Sequence, residues 1–150
     1  MSSIAKTVFN ETEYSELMKK VEGMTPESKA GWGKMDAAQM LAHVNLTIET
    51  GLGVTSLPSE SNWFTRTIIK PLALRRPLMK NSPTAKSFRM KEEKDFSTEK
   101  QKLLRNLKMA HERGANGAWK PHISFGPLTG EEWGALIFKH ASHHMEQFGR

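Results

Sequence analysis

The closing stretch KHASHHMEQFGR, Lys139 to Arg150, gathers His140, His143 and His144, half of the chain's six histidines. A neutral imidazole offers one nitrogen lone pair to a transition metal or to a proton in transit. The chain contains no cysteine, so any metal must be held by nitrogen and oxygen, and any thiolate must be brought by a cosubstrate. The question is which imidazoles can reach one point.

Helical phase separates the three. At 100° per residue, Trp133, Leu136, Ile137 and Phe148 trace one buried stripe, and both His140 and His144 fall within it, whereas His143 falls to its side. Residues four apart on a helix stand about 5–6 Å from each other, so two imidazoles can converge on one ion. An inward HxxxH pair has two readings: rings hydrogen-bonded to buried carboxylates or carbonyls, or rings on a metal. A third histidine favours the metal. His43 lies beside Met40 and Val44, on the inward side of another helical pattern, where a leucine would be the ordinary residue.

Those positions depend on well-marked helices. Thr12 to Glu22 predicts a first helix through Tyr14, Leu17, Met18 and Val21, and EGMTPESKAGWG ends it. Asp36 caps a second, with Gln39 completing a capping box, Met35 set to staple onto Met40, and Gly51 to Gly53 as its end. Serine or threonine in DFSTEKQ opens another, carrying Leu103, Leu104, Leu107 and Met109; His111 and Arg113 then complement its dipole before Gly114. Thr129 and Glu132 box the start of the last. Glu49, Glu131 and Glu146 fit exposed helix positions, so no general base stands out.

Between Leu52 and Asp95, Pro58, Pro71, Pro77 and Pro83 allow only short helical pieces, around Trp63 to Ile69 and Leu72 to Met79. His43 stands roughly 10 Å into its helix, and His140 and His144 roughly 12 and 6 Å from the end of theirs, so the levels meet only if these helices run antiparallel. With hairpins at both ends of the chain, that requires an all-α, up-down-down-up four-helix bundle with a long crossover between helices two and three. At 150 residues this is one domain, spanning 1–150.

The net charge of +6 is concentrated in the crossover, where Arg66 to Lys91 contains eight Lys/Arg and no Asp or Glu. Arg66, Lys70, Arg75 and Arg76 are the expected contacts of an anionic cosubstrate. Trp63, Phe64 and Phe88 add stacking surface, yet no nucleic-acid recognition motif accompanies them, so nucleic acid is not the expected partner. Trp32 and Trp119 are candidates for a homodimer face. No apolar run suggests a membrane span or a secretion signal, which points to a cytoplasmic protein.

WGKMDAAQMLAHV, Trp32 to Val44, and FGPLTGEEWGALIFKHASHHMEQFG, Phe125 to Gly149, resemble a bacterial branch of the DinB-like superfamily. The resemblance implies a four-helix bundle with a divalent metal on three histidines, here His43, His140 and His144. It also implies kinship with transferases and isomerases that use low-molecular-weight thiols. A His-Pro pair often precedes the FG in that family, whereas here His122 is followed by Ile123, leaving the roles of His122 and His143 open.

Three neutral imidazoles leave a metal with an open position, as in catalytic sites. Zinc or nickel heads the expectation, with iron or manganese as alternatives. The expected activity is that of a divalent-metal-dependent transferase or hydrolase on a small molecule, with an anionic low-molecular-weight thiol as candidate cosubstrate. A helical bundle that binds metal or nucleic acid without turnover is the alternative.

Overall fold

The computed structural model describes residues 5–82 and 84–150; Pro83 lies outside them. It contains five α-helices and no strand among the described residues: α1 (Glu11–Glu22), α2 (Ala37–Leu52), α3 (Lys70–Arg75), α4 (Phe96–Arg113) and α5 (Gly130–Gln147). The helix beyond the expected four is α3, a short piece within the crossover. It follows a π-helical turn, Thr65–Ile69, in which the Lys70 amide reaches back five residues to the Thr65 carbonyl. Pro71 has no N–H to continue an ordinary ladder, and the turn widens just before it.

Caps fix where the long helices begin. Asn10 caps α1, Asp36 and Gln39 form the expected box on α2, and Thr129 and Glu132 do so on α5. Gly53 ends α2 in the left-handed conformation, at φ 82°. On α4 the cap is Asp95 rather than Ser97 or Thr98: its carboxylate accepts from the Thr98 amide at 2.9 Å and from the Thr98 hydroxyl at 2.6 Å. Leu103, Leu107 and Ala110 form its inward stripe, and Met109, on another face, is exposed.

Cross-helix bonds give the directions. Along α2 and α4 the numbers rise together: Gln39 donates to the Glu92 carbonyl, Asn45 to Glu99, and Arg113 to the Leu52 carbonyl. These two helices are therefore parallel. Along α1 and α4 the numbers run in opposition, since Lys100 donates to the Glu22 carbonyl while His111 bonds Glu11 and the Val8 carbonyl. His111 thus ties the end of α4 to the start of α1, and its ring stacks on Tyr14 at 3.9 Å. α1 and α5 are parallel, with Val8 at Gly134 and Gly31 at Gln147.

α5 opposes α2. His43 meets His140 near one end of the pair, and Gly51 faces the Trp133 ring near the other. Trp133 is fully buried, its indole N–H donating to the Lys120 carbonyl and its ring stacked on Trp119 at 5.7 Å. Trp119 packs against the core instead of presenting a free dimer face. Leu17, Met40, Leu41, Leu103, Leu107 and Met145 complete the apolar centre, and Asn45, Asn106, Glu99 and Glu49 form a hydrogen-bonded and ion-paired polar seam between α2 and α4. Glu49 is consequently buried, not solvated as its helix position suggested.

The close approach of α2 to Trp133 generates a test. A Cβ at Gly51 would lie 2.8 Å from two carbons of the buried indole. Gly51→Ala gains about 1 kcal/mol of helix propensity, whereas overpacking costs about 1–3 kcal/mol. The variant is expected to unfold at lower urea concentration than the parent; an unchanged or higher midpoint would contradict this packing.

Candidate metal centre

The helices bring together the three histidines that phase selected. One ring nitrogen from each of His43, His140 and His144 lies within 4.8 Å of the other two. His43 and His144 are buried, and His140 is partly so. The group can hold a metal ion.

Hydrogen bonds determine which nitrogens are presented. His43 Nδ1 lies 2.7 Å from the Phe88 carbonyl oxygen, which can only accept, so the ring proton sits on Nδ1 and Nε2 keeps its lone pair. His144 Nδ1 lies 2.7 Å from Gln147 Oε1. The Gln147 amide is oriented by its own N–H, which donates to the Trp32 carbonyl at 2.8 Å, leaving the oxygen to accept from His144. His144 Nε2 is therefore also a lone-pair donor. Oriented outer partners of this kind are what metal-ligating histidines require.

His140 differs. Its Nε2 stands 2.9 Å from His43 Nε2, and its Nδ1 makes no hydrogen bond among the described residues. With the His43 proton held on Nδ1, the N–H in this contact belongs to His140. His140 is therefore the ring whose tautomer must change when an ion takes that place. A shared ion would require the His43 and His140 nitrogens, now in hydrogen-bond contact at 2.9 Å, to separate.

Burial keeps all of these rings neutral. It lowers the His43 pKa from its ordinary value against the opposing Phe88 bond, and pushes His144 down to about 3 with help from His43. His140 is held well below the usual imidazole range by burial and then by His144 and His43. Neutral imidazole is the form a metal needs.

The rings line a cavity of about 240 Å³, whose walls come from the loop before α2, the crossover and the turn before α5. Trp32 lines it, with its ring 5.6 Å from that of His143. Two other histidines share the wall. His143 is half-buried beside His144, and His122 is buried, with a pKa lowered to about 4 by burial. His122 could not be selected by helical phase because it sits on a turn; the His-x-x-Phe-Gly spacing before α5 was its only trace.

Arg66, Lys70, Arg75 and Arg76 do not line this cavity. Arg66, Lys70 and Arg75 edge a separate cleft with Glu131 and Glu132, and the Lys70 ammonium donates to the Pro127 carbonyl. Arg76 is exposed. The cause lies in how the crossover packs: Lys139, next to His140, donates to the carbonyls of Ala73, Leu74 and Arg76, which ties the end of α3 to α5 and leaves Arg66, Arg75 and Arg76 facing solvent.

A family model described as "Protein of unknown function (DUF1569)" matches residues 8–150, nearly the whole chain. The chain belongs to the DUF1569 family. No curated protein matches it, nor does any solved structure. Membership of DUF1569 carries no activity. No helix among the described residues is long and apolar enough to cross a membrane.

The depressed imidazole pKa values set the acid response of the metal-free protein. An unfolded histidine binds its proton near 6.5, whereas folded His144 does so only near 3 and His122 near 4. Between these limits the unfolded chain holds more protons, so stability falls as pH drops below about 6.5, and these groups contribute no slope above about 7. Urea midpoints taken in chelator from pH 7.5 to 4.5 should decline toward acid and decline less in His144→Gln; a flat or rising trend would contradict the burial.

Proposed function

We propose that the chain is a divalent-metal-dependent enzyme acting on a small molecule, a thiol-dependent transferase or a hydrolase, built on an up-down-down-up four-helix bundle of the DinB-like superfamily. In this reading α1, α2, α4 and α5 are the bundle, and α3 belongs to the crossover. The pairing senses of the four long helices support that topology, and the kinship rests on the resemblance of the Trp32 to Val44 and Phe125 to Gly149 segments alone.

A single observation carries the metal. His43 and His144 each have Nδ1 tied to an oxygen acceptor, which leaves a lone pair on each Nε2, and one ring nitrogen from each lies within 4.8 Å of one on His140 at the wall of a cavity. In the metal-free protein the His140 N–H satisfies His43 Nε2, whereas no group among the described residues donates to His144 Nε2, and a shared ion would use both lone pairs. In the role proposed, His43, His140 and His144 hold the ion, the Phe88 carbonyl and Gln147 set the tautomers, and Trp32 holds Gln147. Imidazole accepts zinc, nickel, copper and iron alike; zinc or nickel is the ion proposed, with iron or manganese as alternatives. Bound with an open position, such an ion lowers the pKa of water toward about 7 or takes a thiol as thiolate. With no cysteine in the chain, the thiol comes from a cosubstrate.

Elemental analysis and calorimetry of purified protein test this directly. About one divalent ion per chain is expected, with strong loss in His43→Ala, His140→Ala and His144→Ala and little in His111→Ala. Gln147→Leu, which removes only an orienting partner, should weaken affinity about 10–100-fold. Equal affinity in the parent and the three histidine variants would refute the reading.

A further inference from the structure

No Asp, Glu, Lys or Arg side chain lines the histidine cavity among the described residues. Its walls are chiefly apolar, from Met35, Leu78, Phe88, Phe125 and Leu136, with Trp32 beside them. Cations that touch this lining already have partners: the Lys139 ammonium donates to three carbonyls, Arg89 donates to the Thr84 carbonyl, and Lys80 lies over the Trp32 ring at 4.5 Å. The one counter-ion a charged ligand would meet here is the metal itself, so a charged group held against the walls, away from that ion, would surrender its hydration without compensation. An uncharged one would lose little.

The cavity also contains a polar group that the metal reading leaves idle. His122 Nδ1 accepts two backbone N–H bonds, from Ser124 at 3.0 Å and Phe125 at 3.2 Å. Its hydrogen is therefore on Nε2, the far end of the ring from that turn. This N–H makes no hydrogen bond among the described residues. The ring is held flat against Phe125, at 4.3 Å and 10°, and edge-on to Phe88 at 6.0 Å. Both of those residues line the cavity, and Phe88 is also the residue whose carbonyl sets His43.

We infer that the cavity takes an uncharged, mainly apolar small molecule that presents a hydrogen-bond acceptor to the His122 Nε2–H while its reactive atom lies at His43, His140 and His144. His122 is then a substrate-binding residue, fixed in one tautomer before the ligand arrives. The inference rests on the metal reading for the place of the reactive atom, and on the walls alone for the ligand's charge. It replaces the anionic cosubstrate that the basic crossover suggested, because those cations stand outside the cavity.

The test uses two isosteric thiols, 3-mercaptopropionamide and 3-mercaptopropionate, with propane-1-thiol as a ligand lacking an acceptor. Each is titrated into cobalt(II)-loaded protein and followed by sulfur-to-cobalt absorption. The amide should bind at least about tenfold more tightly than the carboxylate. Loss of one neutral hydrogen bond corresponds to about three- to tenfold in affinity. His122→Phe should therefore weaken the amide by that factor and leave propane-1-thiol unchanged, whereas His122→Gln, which retains an N–H donor, should keep most of the amide affinity. Equal or tighter binding of the carboxylate, or a His122→Phe effect that is absent or equal for all three thiols, would overturn the inference. If the parent retains no cobalt, the metal reading fails by itself. The amide and carboxylate are then titrated into metal-free protein and followed by the amide resonances of Ser124, Phe125 and Gln147: preference for the amide upholds the uncharged cavity, and no response, or preference for the carboxylate, rejects it.

Discussion

Two short hydrogen bonds, each 2.7 Å from an imidazole Nδ1 to an oxygen, fix which nitrogens His43 and His144 keep unprotonated. An imidazole has a lone pair on either nitrogen, and without a fixed partner it presents whichever suits the moment. The Phe88 carbonyl and the Gln147 amide oxygen remove that choice for His43 and His144. Phe88 lies in the crossover and Gln147 at the end of α5, so the two nitrogens are aligned only when both regions are folded. The Gln147 amide is in turn fixed by Trp32, in the loop before α2. Distant parts of the chain thus meet in the orientation of two rings.

The apolar structure supplies the level at which the rings meet. Trp133 against Gly51 sets how closely α5 approaches α2, and their opposed directions carry His140 and His144 to the height of His43. Lys139, spending its ammonium on three carbonyls of the crossover, brings Ala73 to the cavity edge. The same crossover contributes Leu78, Met79 and Phe88 to the walls. Electrostatics within is governed by burial: the imidazoles are neutral because charge is disfavoured there, which suits both metal ligation and an uncharged guest.

Much of this was legible from local rules. Spacing of three and four residues placed His140 and His144 on the stripe of Trp133 and Ile137, and capping residues fixed the registers of α2 and α5. The requirement that His43 meet that pair fixed the relative direction of the two helices. Other features depend on contacts between segments far apart in sequence. The bond to the Phe88 carbonyl spans 45 residues, and no side-chain pattern announces a main-chain acceptor. His122 belongs to a turn, where periodicity says nothing. The basic run disclosed its sign but not its side, because the attachment of α3 to α5 through Lys139 decides which residues face solvent. Pro71 signalled an interruption, and the structure answers it with a widened turn in place of a break.

X-ray absorption at the metal edge of the purified protein reports the donors around the ion itself. Ligation by His43, His140 and His144 predicts a shell of nitrogen and oxygen near 2.0–2.1 Å for zinc, with the outer scattering of about three imidazoles, reduced by one in His140→Ala. A shell of oxygen donors alone, without imidazole scattering, or an unchanged spectrum in that variant, would contradict it.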